Sequence, residues 1–200
     1  MNMQQSSSAE TNDGRRTHET QVKKEGSGIK ESSFWISQIF MILATVLGVY
    51  LAAQEGLNQA IIFDDLTSRQ NNYYLRNSLA SELQSNLIQA REYAEFVKSP
   101  PSRSAIKMFP LQLDLFVWES MRYSPSALET PSQFILEIQR YYREIEDIRG
   151  KIESSAYAPH YGAEEMKKRT ERMEKEVLPK LLANIDTLRR YLKEHDVPVD

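Results

Sequence analysis

The residues of this chain best able to do chemistry are few and poorly spaced for it. There are three histidines and no cysteine among the 200 residues. His195 stands between Glu194 and Asp196, but adjacent helical residues project in different directions, so this run makes a poor metal site. His160 lies in a Pro159-His160-Tyr161 stretch that reads as a loop, and His18 lies in a polar tail. The sequence contains no His-Glu-x-x-His, no Glu-x-x-His of the di-iron bundles and no glycine-rich phosphate loop. No serine sits in a nucleophile-elbow pattern. The absence of cysteine excludes thiolate metal sites, disulfide frameworks and cysteine nucleophiles, while leaving the redox compartment open. The inventory points away from an enzyme, and no cofactor or metal is expected.

The informative polar residues are Glu82 and Asn86, in "LASELQSNL". Four apart, they share one side of a helix, beside Leu79, Leu83 and Leu87 at the edge of an apolar stripe. The ordinary expectation is that both reach water from that rim. The alternative is a buried structural lock satisfied by Arg122, the Trp118 indole, Arg140, or the Tyr141 and Tyr142 hydroxyls, because an unpartnered buried carboxylate is costly.

The elements that position these residues begin with residues 1–33, polar and without apolar periodicity, which read as a disordered tail. Between Glu31 and Glu55 there is no charge. At about 1.5 Å per residue, Phe34–Ala53 spans the roughly 30 Å hydrocarbon core, with Trp35 and Tyr50 near its ends. The run is too long, and its leader too extended, for a cleaved signal peptide. Residues 34–54 are therefore expected to be a transmembrane signal anchor. Arg15, Arg16, Lys23, Lys24 and Lys30 precede it, whereas Arg69 is the first basic residue after it. The positive-inside rule places the N-terminus in the cytoplasm and residues 55–200 outside it. Within the span, Ala44, Gly48 and Ala52 recur at intervals of four and form a small-residue face through which a homodimer could pack.

Residues 55–200 are expected to be helical, since seven glycines and eight prolines are few for this length. The first helix carries Leu75, Leu79, Leu83, Leu87, Ala90, Ala94 and Val97 on one face, and Gly56 or Asp64-Asp65 could hinge it. Pro100 and Pro101 end it. A shorter helix is expected over "LQLDLFVWESMRY", with Leu111, Leu115 and Trp118 on one side. Thr130, Pro131 and Gln133 read as N-cap, first helical residue and capping-box partner of a third helix. Phe134, Ile138, Tyr141, Ile145, Ile148 and Ile152 give that helix a coiled-coil-like heptad seam. After a loop over Ser154–Gly162, a fourth helix carries Met166, Thr170, Met173, Val177, Leu181, Ile185, Leu188 and Leu192, interrupted at Pro179. The expected fold class is all-α: a transmembrane helix followed by an antiparallel bundle of about four helices.

Leu79-x-x-Glu82-Leu83-x-x-Asn86-Leu87 behind a span, then Trp118-Glu119 and Tyr141-Tyr142, resembles a loose group of uncharacterised bacterial single-pass membrane proteins. That resemblance covers roughly residues 35–153. It implies a helical domain behind an anchor in the bacterial inner membrane and supplies no mechanism. A near balance of 25 Lys+Arg and 28 Asp+Glu gives no reason to expect nucleic acid. The expected partners are the lipid bilayer and another, unidentified protein, for a scaffold or interaction role. The rival is a ligand-sensing helical bundle that relays through a partner.

Overall fold

The computed structural model describes residues 27–99 and 102–199. Among the described residues every regular element is helical and there is no strand. The chain divides into two compact units, Met1–Glu55 and Gly56–Asp200. Helix α1, Ser27–Lys98, contributes to both.

α1 contains no proline, and neither Gly56 nor Asp64-Asp65 interrupts it. Once a helix is nucleated, each added residue gains a hydrogen bond, so isolated glycines are tolerated within a long apolar run. Ser27–Ser33 lie in the helix, which corrects that part of the expected disordered tail; residues 1–26 of that tail fall outside the described residues. In the first unit, Phe34 to Leu51 present large apolar side chains to the outside. An 18-residue window there has mean hydropathy 2.0 and none of it is buried. This helix is long and apolar enough to cross a membrane.

In the second unit, α1 buries Asn72, Tyr73, Arg76, Leu79, Ala80, Leu83, Asn86, Leu87, Ala90 and Val97. Leu75 is only half-buried, because the inward stripe runs through Arg76. Helix α2, Arg103–Met108, begins where the Ser102 hydroxyl accepts from the Ala105 N–H at 3.2 Å.

The expected second helix is not formed as such. Pro110 to Asp114 are non-helical, and only α3, Phe116–Ser120, a 3-10 turn, Met121–Tyr123, and α4, Ser126–Glu129, follow. The cause is a tertiary contact: Asn86 takes both backbone groups of Asp114, which a helix would have used. Thr130 is also not the cap anticipated. It closes α4, its hydroxyl donating to the Ser126 carbonyl at 3.2 Å, and Pro131 becomes the N-cap with no side-chain hydrogen bond.

Helix α5, Ser132–Glu153, buries all six residues of the heptad seam together with Tyr142. Helix α6, Pro159–Arg172, starts earlier than expected, so His160 and Tyr161 occupy its first turn. A π-helical turn, Met173–Val177, joins it to α7, Leu178–Glu194. Pro179 explains the turn. It has no N–H to give to the carbonyl four residues back, and the chain widens immediately before it.

Contacts fix the directions of these helices within the second unit. Lys98–Glu164, Arg91–Glu174, Arg76–Asn184 and Arg189–Tyr73 descend along α1 as they ascend α6–α7. Arg169–Glu144 and Arg172–Glu137 show α5 and α6 running oppositely as well. The segment Pro110–Thr130, here called the strap, runs back along α1, with Asn86 meeting Asp114, Glu82 meeting Val117 and Asn72 meeting Glu129.

Close packing sets one prediction. A Cβ placed on Gly162 would clash with Ile152 Cγ1, part of a side chain buried in the core. Gly162→Ala is expected to cost about 1–2 kcal/mol through overpacking, despite alanine's better helix propensity. Thermal unfolding of the variant, with Gly162→Ala/Ile152→Ala as the relieving double substitution, checks this.

Candidate functional site

The polar side chains of the second unit gather in two places along α1, and both hold the strap. Glu82 is 8% exposed and Asn86 0%, so neither occupies the expected rim. The Glu82 carboxylate accepts the Val117 and Trp118 backbone N–H groups, the latter at 3.0 Å. It thereby caps α3 from a neighbouring helix, taking donors that α3 leaves free. Asn86 donates to the Asp114 carbonyl at 2.7 Å and to the Tyr142 hydroxyl at 3.1 Å, and accepts the Asp114 N–H at 2.7 Å. Ser85 and Gln89 reach the Asp114 carboxylate at 3.3 and 3.0 Å. Of the partners considered from sequence, only the Tyr142 hydroxyl is used by Asn86. Trp118 contributes its backbone and not its indole, and Arg140 pairs with Glu137 instead.

Burial pushes the Glu82 carboxyl above the usual carboxylate range; the two backbone donors oppose this and the nearby Asp114 charge adds to it. Burial likewise raises the Tyr142 hydroxyl. The Trp118 and Tyr142 rings meet edge to face, with centroids 5.7 Å apart.

The second cluster was not anticipated. Arg76, 6% exposed, donates to Asn184 Oδ1 at 2.8 Å, to Asn72 Oδ1 at 3.2 Å and to the Glu129 carbonyl. The Glu129 carboxylate accepts from Ser68 at 2.7 and 2.9 Å and from Asn72. Arg76 therefore ties α1, α4 and α7 together. Burial lowers its pKa, with Glu129 opposing. The signal was present in the sequence: positions 76, 79, 83, 86 and 90 share one helical stripe, but a search for apolar residues passes over Arg76.

The remaining candidates are not brought together. His195 stacks on Tyr191 with its Nδ1 2.8 Å from the Tyr191 carbonyl, and His160 lies exposed elsewhere on the second unit. Among the described residues no group of three His, Cys, Asp or Glu could hold a metal ion. Ala44, Gly48 and Ala52 all lie on α1 of the first unit and are exposed. A Cβ added at Gly48 would meet nothing within 4 Å.

Three surface clefts are of comparable size, one of about 440 Å³ lined by charged side chains of α6 and the π turn, among them Lys167, Lys168, Arg172 and Glu176. A second, of about 410 Å³, is lined by polar side chains that include Asp64, Ser68, Asn71, Ser126 and Glu129. The third, of about 380 Å³, is more apolar and includes Tyr93, Phe96, Phe109 and Leu111. The strap also turns large apolar side chains to the surface: Leu128 is 93% exposed, Tyr123 89% and Phe116 81%. Chemically, the two clusters are hydrogen-bonded locks that tie the strap to α1. No protein-family model matches the chain. No curated protein and no solved structure matches it either.

Proposed function

We propose that the chain is a membrane-anchored interaction or scaffold protein, held by α1 in a bacterial inner membrane with its N-terminus cytoplasmic and its helical domain extracytoplasmic. The observation that carries this reading is the outward set of Phe116, Tyr123 and Leu128 on a strap that is itself tied down by polar contacts. Exposed apolar side chains gathered on one segment favour protein contact. The unburied apolar run of α1 supports the bilayer as the other partner, and the basic residues before it support the orientation. The opposite courses of α1, the strap, α5 and α6–α7 support a four-membered antiparallel bundle in which the second member is broken.

The test joins topology with contact. Reporters fused after Asp200 and before Met1 are expected outside and inside the cytoplasm, respectively. A photo-crosslinker at Leu128 in native membranes is expected to trap a discrete protein, and Tyr123→Asp is expected to reduce that product several-fold. A cytoplasmic C-terminus, or a product indifferent to Tyr123→Asp, removes this reading.

The polar cleft beside Ser68 and Glu129 favours a second reading, a ligand-sensing bundle that acts through a partner. Within the span, Ala44, Gly48 and Ala52 support a homodimer. Gly48→Ile is expected to abolish crosslinking between spans in a native-like bilayer, whereas Val49→Ile leaves it intact.

A further inference from the structure

The second unit opens on a stretch of α1 that is exposed throughout, residues 56–64, where a Cβ added at Gly56 meets nothing within 4 Å. Further along, Asp65 accepts from the Tyr191 hydroxyl at 3.4 Å, and Asn72 and Tyr73 are buried. The exposed stretch is nevertheless apolar. Leu57, Ile61, Ile62 and Phe63 each show more than half of their surface, and no charge falls between Glu55 and Asp64. Side chains of this kind left in water form the sort of patch that marks a contact.

Their directions decide what can cover them. At about 100° per residue, Leu57, Ile61, Ile62 and Phe63 project at roughly 0°, 40°, 140° and 240° round the helix axis. A second copy of the chain, or any single partner helix, covers one stripe of a helix and leaves the other sides wet. A helix that is apolar all round is instead enclosed by a core or by lipid, and the core of this unit does not reach these residues.

Length agrees with lipid. The helix is unbroken from Phe34 to Phe63, which at 1.5 Å per residue is about 45 Å. A bilayer measures about 40–45 Å with its headgroups included. The amides of Asn58 and Gln59 then fall in the outer layer, and Glu55 near the edge of the hydrocarbon, where a carboxylate costs far less than at the centre.

We propose that α1 meets the bilayer on all sides as far as Phe63, so that Leu57, Ile61, Ile62 and Phe63 form a lipid-contact collar at the start of the helical domain. The collar rests on the membrane-anchored reading above. It brings the polar cleft lined by Asp64, Ser68 and Glu129 to the membrane surface.

The cysteine-free chain makes the test direct. Leu57→Cys, Ile61→Cys, Ile62→Cys and Phe63→Cys are spin-labelled singly in the full chain, in nanodiscs of phosphatidylethanolamine and phosphatidylglycerol. Each label is relaxed by oxygen, which dissolves in lipid, and by a nickel chelate, which stays in water. Val46→Cys in the span and Lys168→Cys on α6 serve as the lipid and water references, both positions being exposed. At all four collar sites the oxygen-to-chelate ratio is expected to be several-fold above that of Lys168→Cys. A water signature at any of the four, with lipid at Val46, overturns the collar and leaves the anchor standing. Exclusion of both reagents at Leu57 and Ile61 alone overturns it in favour of a second copy packed on that face. A water signature at Val46 as well overturns both the collar and the anchored reading.

Discussion

Asn86→Ala is expected to destabilise the protein by about 3 kcal/mol. The figure follows from what the side chain leaves behind. The Asp114 N–H and the Asp114 carbonyl lose the Asn86 amide at once, and the Tyr142 hydroxyl loses one of its two partners, keeping Glu82. Each unsatisfied buried group costs about 1–3 kcal/mol, and the partly exposed Asp114 groups sit at the lower end because water can reach them. Asn86→Leu separates this from volume. It refills the space and is expected to be no better than alanine, since neither Asp114 backbone group regains a partner. Trp118 reports the unfolding in a Trp35→Phe background, because the chain contains only two tryptophans. A denaturant midpoint for Asn86→Leu that matches wild type would show that the strap is held by packing and not by this amide.

How much of this was legible beforehand depended on the kind of residue. The inward faces of α5 and α6–α7 could be read because their apolar residues recur with helical period, and Phe134 through Ile152 are buried as that period requires. Residues 110–130 could not. "LQLDLFVWESMRY" carries helix-compatible composition, and what keeps it open is a side chain 28 residues away taking the Asp114 backbone. Tertiary hydrogen bonds of that kind leave no periodic trace. Glu82 and Asn86 were visible as a pair, and so was Tyr142 as a partner, yet the groups that bind them to residues 114–118 are backbone groups, which no search among side-chain types can find. The π turn before Pro179 was half legible: the proline announced a fault in the ladder, and only the fold shows how it is absorbed.

Arg76 supplies the second large effect. Arg76→Met, close in volume, is expected to cost about 2–3 kcal/mol, because Asn184 and the Glu129 carbonyl lose a charged donor to which such bonds contribute about 1.5–3 kcal/mol each. Part of that loss is offset, since removing a buried cation also removes its desolvation cost, and one of its own groups, Nε, has no hydrogen-bond partner. The sharper expectation concerns Arg76→Lys. A guanidinium reaches acceptors on α1, α4 and α7 from one rigid fork, with Nη1 on Asn184 and Nη2 on Asn72 and Glu129. An ammonium is a single point and cannot cover that spread, while its burial is still costly. Arg76→Lys is thus expected to be at least as damaging as Arg76→Met, although it keeps the charge. Equilibrium unfolding of both variants in detergent micelles decides the matter. A lysine variant as stable as wild type would mean that charge alone is required at this junction and that the three-way fork contributes nothing.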